Sequence, residues 1–157
     1  ENLDWSQADL QIQHPVSTWK KMGVTVAPGS KLPDTDYKAS LLLPMGRNGP
    51  AFLAYQNYRV YLEWNQSFIY ATTAAYFATR LAGAPPVGRG SDAKQLPYKE
   101  VIELQRLLAK RGHDVGKVDG MIGAGTRAAV KAMQIDLGMP ADSYPYAALL
   151  QRLRAGT

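Results

Sequence analysis

Between residues 98 and 153 the hydrophobic positions recur at helical spacing. Val101, Leu104, Leu107 and Leu108 form one apolar face that closes at Gly112. Ala129, Val130, Met133 and Leu137 form a second, which starts at Gly123 and stops at Gly138. Leu149, Leu150 and Leu153 form a third, led in by Asp142-Ser143, and the stretch 113–122 is a loop. Ahead of this the pattern is looser. Residues 15–22 predict a short helix stopped at Gly23, Ala39-Ser40-Leu41-Leu42-Leu43 predicts a strand ending at Pro44, and 45–49 predicts a turn. From Pro50 onward, Phe52, Tyr55, Tyr58 or Arg59, and Leu62 fall at three- and four-residue steps and predict a helix with proline in its first turn. It breaks at Asn65-Gln66-Ser67, where Ser67 can cap a second helix that runs to residue 81 or 82 and ends at Gly83. The fold class is therefore mainly α, with a short strand pair at most.

Residues 83–92 are dominated by Gly and Pro and carry no apolar period, so they predict a linker. The organisation that follows is a front part over 1–83, a linker over 84–97 and a rear part over 98–157. Composition adds exclusions. At 46% hydrophobic and 20% charged residues the chain is too apolar for disorder. The net charge of +5 is spread over both halves without a basic run, which argues against nucleic acid. The longest central stretch without charge, 64–79, is shorter than a membrane span of about 20 apolar residues and contains several threonines and tyrosines. With no cysteine and only His14 and His113, no zinc site is expected, and each histidine reads as a surface or turn residue. No calcium-loop spacing occurs, and no cofactor is expected.

The rear part carries Ile102-Glu103-Leu104-Gln105, Leu107-Leu108, Gly112, Gly116, Val118-Asp119-Gly120, Gly123, Thr126, Ala128-Ala129-Val130, Gln134 and Gly138. With this string it resembles the peptidoglycan-binding domain 1 family, which implies a three-helix bundle with a shallow groove near the 113–122 loop. Asp119, Gly120, Thr126 and Arg127 are the candidate wall contacts. Asp119-Gly120 also makes a tight turn, and Thr126 lies in the first turn of its helix, so turn-building is the alternative role for these residues. The module would bind a stem peptide or sugar weakly and gain from tethering.

The front part carries Ala39-Ser40-Leu41-Leu42, Pro44, Gly46, Gly49-Pro50-Ala51-Phe52-Leu53, Tyr55, Asn57-Tyr58, Trp64-Asn65-Gln66-Ser67, Tyr70-Ala71 and Ala78-Thr79-Arg80-Leu81. It resembles the end of the catalytic domain of the lytic murein transglycosylase B family. The resemblance implies a helical remnant of a lysozyme-like lobe and peptidoglycan as substrate, cleaved to 1,6-anhydro products. It also implies a bacterial periplasmic location, either free or at the periplasmic face of the outer membrane. The substrate-binding candidates carried over are Trp64, Asn65, Ser67, Tyr70 and Asn57. In this role Trp64 stacks on a sugar face, Asn65 holds an N-acetyl or hydroxyl group, and Tyr70 approaches the catalytic carboxylate. The alternative is that Trp64 and Tyr70 are core aromatics and Asn65 a cap.

Glycoside cleavage of this kind needs a carboxylic acid kept protonated in an apolar pocket. The glutamates are Glu1, Glu63, Glu100 and Glu103, and none lies in the Glu-Ser-x-Phe-Gly type motif that the resemblance implies for the catalytic acid. Glu63 stands four residues after Arg59, where a solvated ion pair is expected, and Glu100 and Glu103 belong to the first rear helix. No catalytic residue is therefore assigned in this chain, which is expected to be inactive alone. Its abrupt start suggests the rear portion of a longer enzyme whose amino-terminal part supplies the acid. A non-catalytic peptidoglycan-binding protein is the alternative.

Overall fold

The computed structural model describes residues 3–26, 32, 36–65, 67–91 and 94–156. Glu1, Gln66 in the expected helix break and Asp92 at the end of the linker run lie outside them.

In the front lobe a 3-10 turn (Trp5–Gln7) leads to β1 (His14–Pro15) and α1 (Val16–Lys21), then to β2 (Lys38–Leu42) and β3 (Phe52–Ala54). The three strands form an antiparallel sheet in the order β1-β2-β3, with Ser40, Leu41 and Leu42 opposite Ala54, Leu53 and Phe52. The expected helix from Pro50 is thus a strand at 52–54, and α2 (Tyr58–Trp64) begins only afterwards. The side chains explain the change. Leu53 and Leu41 pack with Trp19, whereas Phe52, Ala54 and Leu42 pack with Tyr58 and Ala71. The segment faces two cores with period two, and pairing with β2 overrides the helical spacing that the same residues also satisfy. Trp19 is fully buried and donates from Nε1 to the Ala39 carbonyl at 2.7 Å, which ties α1 to the sheet. His14 is half-buried, edge-on to Trp19, rather than a free surface residue.

α2 and α3 (Phe68–Leu81) form a hairpin. Ser67 caps α3 as expected, its Oγ accepting from the Tyr70 amide. Arg59 makes no ion pair with Glu63 and donates instead to the Leu10 carbonyl.

The rear lobe is the expected bundle: α4 (Tyr98–Lys110), α5 (Ala124–Asp136) and α6 (Ala147–Arg154) around Val101, Leu104, Leu108, Val130, Met133, Leu149, Leu150 and Leu153. α6 starts after Tyr146, later than Asp142-Ser143 suggested. Asp142 is not a helix lead-in at all, because its side chain is buried between the lobes. The linker is pinned at both ends. The Val87 amide donates to the Tyr76 hydroxyl at 3.0 Å, the Ser91 amide to the Asn48 carbonyl at 2.8 Å, and Leu96 sits in the bundle core.

Candidate functional site

The break between α2 and α3 gathers four of the five front-lobe candidates. Trp64 ends α2 and is 74% exposed, and Tyr70, in the first turn of α3, is 44% exposed. Their ring centroids lie 5.6 Å apart at 49°, so the two rings make one tilted, solvent-facing aromatic surface. They are not core aromatics. Between them Asn65 Oδ1 accepts from the Ser67 amide at 2.9 Å, the local turn that asparagine favours outside a helix. Its side-chain NH2 has no partner among the described residues, so one half of Asn65 builds the break and the other is left to bond elsewhere. Asn57 is not part of this group. It precedes α2, about 10 Å away along a seven-residue helix, and lines a separate groove.

That groove, of about 690 Å³, runs between β3, the α2–α3 hairpin and the linker, with Phe52, Tyr55, Tyr58, Tyr76 and Val87 in its walls. The Tyr55 hydroxyl is buried with no hydrogen-bond partner among the described residues, and burial pushes its pKa up. Nearby, the outer side of the hairpin exposes Val60, Ile69, Phe77 and Leu81 as well as Trp64.

In the rear lobe Asp119 is exposed, and its carboxylate accepts from the Met121 amide at 2.9 Å. Gly120 donates its amide to Gln105 Oε1 at 2.9 Å. Thr126 is 1% exposed, donates to the Val115 carbonyl and accepts from Gln105 Nε2. It is therefore held in the loop's foundation and out of reach of a ligand. Asp119 is the candidate that remains open to solvent beside Val118 and Met121, both exposed.

Two residues that spacing alone did not single out organise these loops. Gln105 is fully buried and also donates to the Lys117 and Met121 carbonyls. Gln134, likewise buried, donates to Asp142 Oδ1 and the Tyr144 carbonyl and accepts from the Ser143 amide. Each lies four residues after a core valine, Val101 or Val130. A polar side chain in core phase is the signal that finds them, since buried polar groups need partners.

Arg127 departs most from expectation. It points away from the 113–122 loop into the front lobe, with Nη2 donating to the Leu43 carbonyl at 2.7 Å and Nη1 to Pro44 at 3.2 Å. Its guanidinium lies 4.9 Å from the centre of the Phe68 ring. Burial lowers its pKa, opposed by the charge of Asp142, but a guanidinium remains protonated. Beside it, the buried Asp142 accepts from the Arg47 amide at 2.8 Å and the Tyr146 hydroxyl at 2.8 Å, and from Gln134 and the Tyr144 amide. Burial, then the bond to Asp142, raises the Tyr146 pKa. Lys131 reaches Asp9 at 2.7 Å across the same boundary. The two lobes are clamped together.

No described glutamate sits in an apolar pocket. Glu63 is exposed. Glu100 and Glu103 both bind Arg154, and the hydrogen bond from Arg154 lowers the pKa of Glu103, the opposite of what a proton donor needs. Among the described residues no group of three or more His, Cys, Asp or Glu could hold a metal ion, and no helix is long and apolar enough to cross a membrane.

Residues 1–79 match the transglycosylase SLT domain family and residues 97–153 the peptidoglycan binding domain family. Among the solved structures that resemble the chain are two of SltB3 from Pseudomonas aeruginosa. One is in complex with NAG-anhNAM-pentapeptide and the other with NAG-NAM-pentapeptide. Each shares 45% sequence identity with a TM-score of 0.77 over 97% of this chain. The chain spans 42% of the length of these relatives. A search of curated proteins found no match.

Proposed function

We propose, for a chain that belongs to the transglycosylase SLT domain family, that it forms the cleft wall and the wall-gripping module of a lytic transglycosylase. The enzyme would cleave the β-1,4 bond between N-acetylmuramic acid and N-acetylglucosamine of peptidoglycan and leave a 1,6-anhydro end. The observation that carries this is the exposed Trp64–Tyr70 ring pair with Asn65 in the same break, its side-chain NH2 without a partner among the described residues. Flat apolar faces beside a hydrogen-bond donor suit a sugar ring carrying an N-acetyl group. In this reading residues 1–83 are the end of the catalytic domain, 84–97 the linker and 98–157 the wall-binding domain. Ser67 shapes the break, and Asn57 belongs to the neighbouring groove. Asp119 and Gly120 present the rear loop to glycan strands or stem peptides. The two ligands of the P. aeruginosa relatives, one with an anhydro-muramyl end and one without, support the product assignment. Such a substrate puts the enzyme in the bacterial periplasm or on the periplasmic face of the outer membrane.

The proton donor comes from outside this chain. A general acid needs a raised pKa and a place within reach of the leaving oxygen, and exposed Glu63 and the Arg154-bound Glu100 and Glu103 offer neither. The apolar groove, the unpartnered Tyr55 hydroxyl and the exposed outer side of the hairpin fit a seat for the amino-terminal part of the enzyme. Incubated with purified sacculi, the chain should sediment with them and release no 1,6-anhydromuropeptides by mass spectrometry. Adding the amino-terminal part should start release. Release by the chain alone refutes the missing acid, and silence after reconstitution favours a non-catalytic peptidoglycan-binding protein.

A further inference from the structure

Within the α2–α3 break the Asn65 amide donates to the Tyr61 carbonyl and the Ala71 amide to the Ser67 carbonyl, each at 2.9 Å, and among the described residues only two side-chain bonds add to these. Asn65 accepts one amide at 2.9 Å, and the cap bond from the Tyr70 amide to Ser67 is long, at 3.3 Å. The next residue, Phe68, is fixed from several sides. Its carbonyl accepts from Thr72 Oγ1 at 2.7 Å and from the Tyr58 hydroxyl at 3.3 Å, and its ring packs beside Leu42, Ala54 and Ala71. A further contact to that ring comes from the other lobe, the Arg127 guanidinium at 4.9 Å. A guanidinium is planar. Its edge can bind two carbonyls while its face covers an aromatic ring, which an ammonium group cannot do. Here the edge binds Leu43 and Pro44, just past the end of β2, so Arg127 ties the sheet to the start of α3.

We infer that Arg127 is a positioning residue for glycan binding: acting from the wall-binding bundle through Phe68, it sets the orientation of the Asn65–Tyr70 break. This rests on the cleft reading of Trp64, Asn65 and Tyr70 given above. It goes further by assigning a residue of the second domain to the site of the first. Charge alone would not perform this task, because the contact uses both the plane and the edge of the side chain.

The test titrates the chain with a soluble GlcNAc–MurNAc tetrasaccharide, following the backbone amide NMR shifts of Ser67 and Tyr70 so that binding at the break is read separately from binding at the rear loop. Thermal unfolding is measured in parallel. Arg127→Met should weaken binding at the break about tenfold. Arg127→Lys, which keeps the charge and loses the plane, should fall between the two. Phe68→Leu should match Arg127→Met, and the double variant should bind no worse than the weaker single, since both act along one path. If Arg127→Met does not fold, Arg127→Lys and Phe68→Leu carry the same comparison. A merely structural arginine would lower the melting temperature and leave affinity at the break unchanged, and that result overturns the inference. Asn65→Ala separates the two levels. If it loses the glycan while the Arg127 variants keep it, only the positioning role fails. If Asn65→Ala binds normally, the cleft reading fails and the positioning role with it.

Discussion

Gly46 offers the sharpest test of whether the lobes are truly locked. It lies in the turn after β2, buried, with φ at 70°. A Cβ built there would meet the Tyr146 hydroxyl and come within 2.6 Å of Tyr144 Cβ and 2.9 Å of Tyr144 Cγ. The hydroxyl could swing aside only by leaving Asp142, and Tyr144 Cβ is held by its own backbone, whose amide donates to Asp142. Gly112, at the end of α4, provides the control, since its φ is 88° and a Cβ there would touch nothing within 4 Å. Both alanine variants bear the left-handed backbone cost of about 1–2 kcal/mol. Gly46→Ala adds the overpacking cost of about 1–3 kcal/mol. The difference corresponds to a further fall in melting temperature of roughly 2–12 °C for a chain of this size. Because parting the lobes relieves the clash, calorimetry of Gly46→Ala should also resolve separate transitions for front and rear lobes, whereas Gly112→Ala should keep the wild-type profile at a lower temperature. Equal losses with identical profiles for the two variants would refute the lock.

Two further predictions probe the charges at the same boundary. Asp142→Ala removes the acceptor for the Arg47 and Tyr144 amides, Gln134 and Tyr146, and should cost about 3–5 kcal/mol in urea unfolding, because the partners stay buried and unpaired. For Asp9, burial raises the carboxyl pKa, but hydrogen bonds from Lys131 and the Gln11 amide outweigh it and leave the value below the usual 3.8. A folded pKa below the unfolded one means the contribution is complete above about pH 4 and is lost as pH falls through the folded value. The gain is under about 1 kcal/mol for a pair that is partly exposed. Unfolding curves from pH 7 to pH 2 should show a shallower acid limb in Asp9→Asn, and an unchanged limb would show the pair to be idle.

The bundle was legible in the sequence because each helix carries its own period and its own stop. Val101 to Leu108 closes at Gly112, and Ala129 to Leu137 closes at Gly138, all within reach of local geometry. The aromatic pair at the break was legible only through the family resemblance of the string Trp64-Asn65-Gln66-Ser67 with Tyr70, because aromatics at helical spacing read by themselves as packing residues, and both rings are exposed. Two kinds of feature were not. Phe52, Tyr55 and Tyr58 fit a helical face as well as they fit a strand followed by a turn, and only the partner strand β2 decides between them. The boundary between the lobes pairs Arg127 with Leu43 across 84 residues and Arg47 with Asp142 across 95. No local period encodes such a contact. Arg127 therefore reads from its neighbours as a groove residue, when its partners lie in the other lobe.

That boundary changes what the second domain can contribute to binding. A module on a free linker raises local concentration and accepts many wall geometries, with a gain set by linker length. Here the linker is pinned through Val87 and Ser91, and Asp142, Arg127 and Lys131 hold the bundle to the front lobe. The rear loop and the break then sit at one fixed separation. A polymer that satisfies both must present its sugars and peptides in one register, and a strand out of register gains nothing from the second contact. In the function proposed above, a module clamped in this way would act as a gauge of the substrate's geometry. Loosening the clamp with Asp142→Ala should consequently cost binding to long, cross-linked wall fragments far more than binding to a disaccharide, which occupies one contact at a time.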